Sequence, residues 1–371
     1  MPARLIDGFA TTDALAEVFS DEAVAGAMLR FEIALARAQA RLGMIPQAAA
    51  EAIGKLDRIG AAGLAWQARE SATLVIPFLR VLKSRLDPAA ARYVHWGSTS
   101  QDVLDTALVL LLRAARPILE SDRERLERAL RALSDKHAGS LMQARTLLQP
   151  ALATTFGYKV AGWYGELHRS WRRLAKAFDD ALQLQFGGAC GTLATYGDRG
   201  PELAAVVAAE LELPPPVAPW HAHRDCLAAL VTNCGIYAGG LAKIARDIAL
   251  LMQSEIGEVA ERGGGSSTMP HKRNPAASVV ALAAAARLPG LVAAFLAAMP
   301  QEHERAAGGW QSEWPTVAGA IQATGSTLAA VADAIDGLTV DSARMRANLG
   351  GVPTDLGAAE IFRRRLLEES E

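Results

Sequence analysis

The run Gly263-Gly264-Gly265-Ser266-Ser267-Thr268-Met269-Pro270-His271-Lys272-Arg273-Asn274-Pro275 holds the residue types of an acid/base centre. A serine hydroxyl is a poor base unless its alkoxide is stabilised. Backbone N–H groups of a glycine-rich loop, a nearby ammonium and a helix N-terminus can each supply that stabilisation. Ser266 is therefore the candidate acid/base, with Lys272 and Asn274 beside it as catalytic partners. Ser267 and Met269 are candidates for substrate contact in the same loop. A surface Gly/Ser linker ahead of a helix is the competing reading, and for a generic GGGSS it would be the better one.

Three further segments carry polar groups suited to an anion. Tyr93-Val94-His95-Trp96-Gly97-Ser98-Thr99-Ser100-Gln101-Asp102 precedes a long helical pattern, so His95, Ser98, Thr99, Ser100 and Gln101 gather hydroxyls and N–H groups at a helix start. Plain N-capping by Ser100 accounts for part of that pattern. Arg145-Thr146-Leu147-Leu148-Gln149 offers Arg145, Thr146 and Gln149. Trp220-His221-Ala222-His223-Arg224-Asp225 offers His221 and Arg224 as a carboxylate clamp, against the simpler pairing of Arg224 with Asp225. His221 and His223 lack a third ligand at a useful spacing, so no metal is expected. The run Glu302-His303-Glu304-Arg305 reads alone as a solvated face, and His137 and His168 as structural or surface residues.

Taken together, these strings resemble the fumarase/aspartase superfamily, from the helix at Asp21 to about Gly337. The resemblance makes Ser266 the catalytic serine and assigns substrate carboxylate to residues 93–102, the first conserved region. It makes residues 139–157 the second region and places His303 and Arg305 near the active site of a neighbouring subunit. It implies a small polycarboxylate substrate and no cofactor. It also implies a fold of three α-domains, the middle one a five-helix bundle. Four chains would form a homotetramer, each site drawing on three of them.

Two departures carry chemical meaning. Where amine-releasing lyases of the family have a histidine after the Arg-Thr pair, this chain has Leu147, and Glu70 to Pro77 supplies no substitute. An amine or alkoxide leaving group needs a proton donor. A carboxylate, with a pKa of roughly 4, does not. The missing histidine thus favours intramolecular carboxylate addition, a lactonisation of an unsaturated tricarboxylate, with Ser266 as the lone proton donor and acceptor. Carboxylates would be held by Lys272, Arg145, Arg224 and His95. An adenylosuccinate- or argininosuccinate-type lyase, cyclisation of a sulfonated analogue, and an inactive helical scaffold stay open. The second departure is the end of the chain soon after the fifth long helix, which leads to the expectation of a truncated C-terminal domain. Ala153 also stands where the family usually has proline.

The elements that must position these residues read as all-α. The 371 residues are rich in Ala and Leu and show no alternating strand pattern. Ser20 or Asp21 caps a helix to Leu42, and helices follow at about Ala48–Ile59 and Leu74–Leu86. Five long segments are expected at about Gln101–His137, Ala151–Gln185, Asp225–Glu258, Ala276–Ala298 and Trp314–Ile335. The domains follow as 1–97, a bundle over 98–337 carrying the loop 260–275, and a short helical segment 338–371. Lys plus Arg number 38 and Asp plus Glu 40, for a net charge of −2 without a basic stripe, so nucleic acid is not an expected partner. Arg287 and Pro289 interrupt the Ala-rich stretch, which argues against a membrane span. The N-terminus has no apolar signal core. Cys190, Cys226 and Cys234 lack metal-type spacing and suit small buried hydrophobes in a reduced, cytoplasmic setting.

Overall fold

Helix signals in the sequence translate directly into the elements that frame the site. The structure, a computed structural model, describes residues 5–265, 268–269 and 272–368. A layer of short helices comes first: α1 (Asp13–Val18), α2 (Asp21–Arg41), α3 (Gln47–Gly54), α4 (Leu64–Ser71), α5 (Val75–Ser84) and α6 (Pro88–Ala91). Ser20 caps α2 by accepting the Ala23 N–H at 3.2 Å. Then follow α7 (Ser100–Lys136), the hairpin β1 (Leu141–Thr146) and β2 (Gln149–Thr155), α8 (Phe156–Ala181), α9 (Gly200–Glu210) and α10 (Asp225–Leu251). The chain continues through β3 (Val259–Ala260), α11 (Ala276–Ala285), α12 (Leu288–Ala298), α13 (Gly309–Asp336), β4 (Thr339–Val340), α14 (Ser342–Asn348) and α15 (Ala359–Glu368).

The bundle consists of α7, α8, α10, the α11–α12 rod and α13. Arg116 midway along α7 pairs with Asp179 near the end of α8, and Ser134 near the end of α7 donates to the Gly157 carbonyl at the start of α8, so the two run antiparallel. The starts of α7, α10 and α13 meet through Asp105, Arg224 and Glu313, so those three run parallel. One apolar cluster fills this bundle. A second joins α2, α3 and α5 to the first half of α7 and to α9.

Three expectations are corrected. The segment after Ala151 does not open as helix: Gln149–Thr155 is a strand paired antiparallel with Leu141–Thr146, and α8 starts only at Phe156, capped by Thr155. The segment Ala276–Ala298 is two helices, broken at Ala286 and Arg287 ahead of Pro289. And α13 starts at Gly309, because Pro315 lies inside the helix rather than at its first turn. The membrane argument is corrected too. Asp225–Leu251 and Ala276–Ala298 are both long and apolar enough to cross a bilayer by length and composition alone. The first is a bundle-core helix, 56% of its most apolar window buried, whereas the second has only 28% buried.

Candidate active site

Residues 93–102 form a tightly braced loop at the start of α7. Gly97 sits at φ +75, and a Cβ there would meet the Tyr196 hydroxyl at 2.3 Å, so only glycine fits. Tyr196 donates to the Trp96 carbonyl, and Gln39 Nε2 reaches that same carbonyl at 2.8 Å and the Tyr196 hydroxyl at 2.9 Å. Burial pushes the Tyr196 phenol upward, so it remains a donor. His95 Nδ1 lies 2.6 Å from Glu32 Oε1, a buried carboxylate on α2. Thr99, not Ser100, is the N-cap of α7, and the Asp102 carboxylate accepts its N–H at 3.1 Å. Ser98, Thr99 and Ser100 are half-buried, as an anion-binding turn requires.

Gln101 links this loop to two others. Its Nε2 donates to the His221 carbonyl at 2.8 Å, and its Oε1 accepts from Arg305 at 2.6 Å. Arg305 also donates to the Gly188 and Ala189 carbonyls. His221 is buried, with its ring against Gly191, where a Cβ would come within 2.4 Å. Burial, and then the positive Arg305, lowers its pKa, and its Nδ1 has no hydrogen-bond partner among the described residues. The structure thus brings His95, Ser98, Thr99, Ser100, Gln101, His221 and Arg305 to one end of the bundle. His303 lies on the same 301–308 loop, exposed and at φ +46.

Arg224 is not a substrate clamp. It is 1% exposed and held by Asp105 at 2.7 Å and Glu313 at 2.5 Å, with the Trp220 ring 4.8 Å away. Burial alone would lower its pKa, but the two carboxylates outweigh that and raise it. Trp310 Nε1 and Gln101 bond Asp105, and Gln301 bonds Glu313, whose own pKa burial raises. The cluster locks three helix starts together. Neither acidic partner was visible from the Arg224-Asp225 dipeptide, because both come from distant segments.

Arg145 is corrected in the same way. Its guanidinium makes a two-point contact with Glu258, at 2.7 and 3.1 Å, and Glu258 also accepts from Asn348. Thr146 and Gln149 are exposed at the hairpin end. The turn between them holds Leu147 at φ +51 and Leu148 at φ +64, a backbone region that leucine disfavours. Leu147 is 96% and Leu148 73% exposed. Within one chain, Leu147 is therefore part of a strained apolar tip facing outward.

Ser266, Ser267 and His271 lie outside the described residues. The base of their loop is described. Gly264, at φ +75, has the Asn274 carbonyl so close that an added Cβ would sit 1.9 Å from it. Asn274 donates its N–H to Gly264 O at 2.7 Å and its side-chain amide to Gly265 O at 3.3 Å, closing the loop. Lys272 is exposed, its N–H bonded to Met269 O at 3.0 Å, and Met269 is exposed as well. The buried Glu261 carboxylate accepts from Ala277 N, Ser278 N and Ser278 Oγ at 2.8, 3.1 and 2.5 Å. These N–H groups of α11 are thus already used.

Distance now decides how the pieces can combine. Residues 93–102 lie before α7 and the hairpin lies after it. A 37-residue helix spans about 55 Å. Through Arg145 and Glu258, the serine loop belongs to the hairpin end. Within one chain, then, the first region and the second cannot touch one substrate.

Comparison with known proteins identifies the family. A protein-family model described as "Lyase" matches residues 9–290. The 3-carboxy-cis,cis-muconate cycloisomerase of Bradyrhizobium diazoefficiens is 48% identical over 87% of this chain and 74% of its own length. A crystal structure of the 3-carboxy-cis,cis-muconate lactonizing enzyme from Pseudomonas putida superposes with a TM-score of 0.92 at 35% identity, covering 99% of this chain and 98% of that one. The chain belongs to the fumarase/aspartase lyase superfamily. Another member similar to it, the nitrosuccinate lyase of Streptomyces davaonensis, is 40% identical over 94% of this chain and 76% of its own. For a lyase of this family the fold is all-α, with the hairpin β1–β2 as its main departure from helix. The residues that sequence reading missed, Gln39, Glu32, Tyr196, Glu258, Glu261 and Glu313, brace these loops. Gln39, Glu32 and Glu313 are single polar residues within helices, Tyr196 lies in a 3-10 turn and Glu258 and Glu261 flank β3, and nothing in their local sequence marks them.

Proposed function

We propose that the chain is a 3-carboxy-cis,cis-muconate cycloisomerase, forming a 4-carboxymuconolactone by intramolecular carboxylate addition. That name implies the protocatechuate branch of the β-ketoadipate pathway, and a cytoplasmic setting is part of the same proposal. The observation that carries the reading is the extended identity to cycloisomerases of that name, together with Leu147 in place of an acid histidine. One substrate carboxylate attacks the alkene carbon β to another carboxyl group. Charge builds on that carboxyl as an aci-carboxylate, which Lys272 and the N–H groups of the loop stabilise. Ser266 delivers a proton to the α-carbon, and Asn274 holds the loop closed at its base. Because Arg145 and Arg224 are spent on Glu258, Asp105 and Glu313, carboxylate binding falls on Lys272 and on the hydroxyls and N–H groups of Ser98 to Ser100.

The same reading requires several chains per site. Support comes from the 55 Å span of α7, the apolar Leu147–Leu148 tip, and a stripe on the α11–α12 rod. Ala276, Val279, Ala283, Ala286, Gly290, Ala293 and Ala297 recur every three or four residues and are all exposed. A homotetramer that buries this stripe brings the hairpin of one chain to the first region of another.

A second reading has its own observation, the 40% identity to nitrosuccinate lyase. Nitrite, like a carboxylate, is a weak base and leaves without a proton donor, so Leu147 fits that chemistry equally. Purified protein with 3-carboxymuconate, followed by loss of the diene absorbance, separates the two when nitrosuccinate and adenylosuccinate are run beside it. Turnover of nitrosuccinate without lactonisation would replace the first reading with the second.

A further inference from the structure

Asp102 is fully buried on the first turn of α7, yet no lysine, arginine or histidine pairs with it among the described residues. Its carboxylate is held by neutral donors: the N–H groups of Gly187 and Gly188, both at 2.9 Å, Thr99 N at 3.1 Å, and Ser98 Oγ and Gln185 Nε2 at 3.4 Å. These donors come from two segments far apart in sequence, the 98–99 turn and the 185–188 loop. The second loop in turn offers the Gly188 and Ala189 carbonyls to Arg305, whose guanidinium returns to Gln101 beside Asp102. A closed ring of contacts results, and one carboxylate sits at its junction.

We propose that Asp102 is a positioning residue: its carboxylate registers the 98–100 turn against the 187–189 loop that Arg305 braces, and so presents the Ser98–Ser100 turn to a substrate carboxylate. This rests on the reading of residues 98–100 as a carboxylate site. A structural brace alone would be better served by an amide or an apolar pair, because an uncompensated buried charge is costly. The anionic form is nevertheless the one in which both oxygens are free to accept from all five N–H and O–H donors.

Burial pushes the Asp102 carboxyl up to about 6, against the pull of the Gly187 and Gly188 N–H groups. The groups that face this region are Arg305 on the 301–308 loop, Asp105 and Arg224 with Glu313 behind Gln101, His95 with Glu32, Tyr196, and His221. The sign follows from the raised value. As pH falls through 6 the folded state takes up a proton before the unfolded chain does, so protonation does not destabilise the fold. It removes acceptors from the junction and loosens the two loops. Affinity for a polycarboxylate therefore drops at acid pH while thermal stability does not.

The test compares wild type with Asp102→Asn, using tricarballylate binding by calorimetry from pH 5 to 8, the thermal midpoint, and lactonisation kinetics. Asn keeps the size and one acceptor but puts an NH2 toward the donors. The expected result is a tricarballylate affinity at pH 7.5 weaker by tenfold or more. KM rises in parallel, kcat stays within about threefold, and the affinity step near pH 6, after correction for the protonation of tricarballylate itself, is lost. His221→Gln, which removes the neighbouring imidazole, should retain that step. Unchanged affinity in Asp102→Asn overturns the proposal. So does a lower midpoint with KM unchanged, which marks a mere brace. If wild type binds tricarballylate but lactonises nothing, the proposed reaction fails while the role of Asp102 is still decided by the binding arm.

Discussion

At the scale of single residues, the cations that a sequence reading assigns to substrate divide by what surrounds them. Arg145 and Arg224 each meet buried carboxylates from distant segments, whereas Lys272 stays exposed on the loop. Replacing Arg224 with Met would leave Asp105 and Glu313 buried without compensation. A loss of about 3–5 kcal/mol in urea unfolding is expected, and a loss below ~1 kcal/mol would show that the cluster is not what joins the helix starts. Ser266→Ala should lower kcat by roughly 10²–10⁴-fold with an unchanged circular dichroism spectrum. Near-full activity would remove Ser266 from the reaction. Leu147→His should bring no gain in lactonisation, because the leaving group needs no acid. At a tip this exposed the imidazole stays hydrated, so folding should be unaffected as well. Strong acceleration of amine elimination from adenylosuccinate would identify a degenerate lyase instead.

At the scale of elements, the catalytic loop is defined by its base. Gly264 and Asn274 cross so closely that no side chain fits between them, and the positive φ at Gly264 excludes other residues independently. Gly264→Ala should therefore abolish most activity while the thermal midpoint moves little, since the strain falls on a surface loop rather than on the bundle. A variant with wild-type kcat would show that the crossing is not required. The hairpin β1–β2 is the element that composition concealed. Its strands show no sustained apolar/polar alternation, and its turn is built on two leucines rather than on Asn-Gly. Hairpin signals in sequence rest on turn residues, and here these are absent.

At the scale of the whole molecule, the α11–α12 rod is more apolar than its burial in one chain explains. Placing a charge on the stripe with Ala283→Glu alters an exposed helix position where Glu is a good helix former, so the single chain should fold as before. Light scattering should show wild type near four times the 39.2 kDa chain mass and Ala283→Glu dissociated, with activity lost in step. A wild-type monomer at micromolar concentration that retains activity would defeat the shared-site arrangement.

The sequence by itself determined the helical class, the start of α2 at its Ser20 cap, the extent of α7 within a residue at each end, the start of α10 but not its end, which comes at Leu251 rather than Glu258, and the glycine-rich base of the loop before α11. Each of these depends on local signals: periodicity, caps and glycines that act within a few residues of chain. It also determined that no histidine follows Arg145-Thr146, which directs the chemistry toward a leaving group that needs no proton. Tertiary structure decided what local signals do not encode. It assigned Arg145 to Glu258 and Arg224 to Asp105 and Glu313, gave the N-terminus of α11 to Glu261, and made Asp102 the junction of two loops. It also set the first region and the hairpin about 55 Å apart on α7. The reason is common to all four. A buried charge is satisfied by whichever partner the packing of distant helices delivers, and the sequence around either residue carries no trace of that partner.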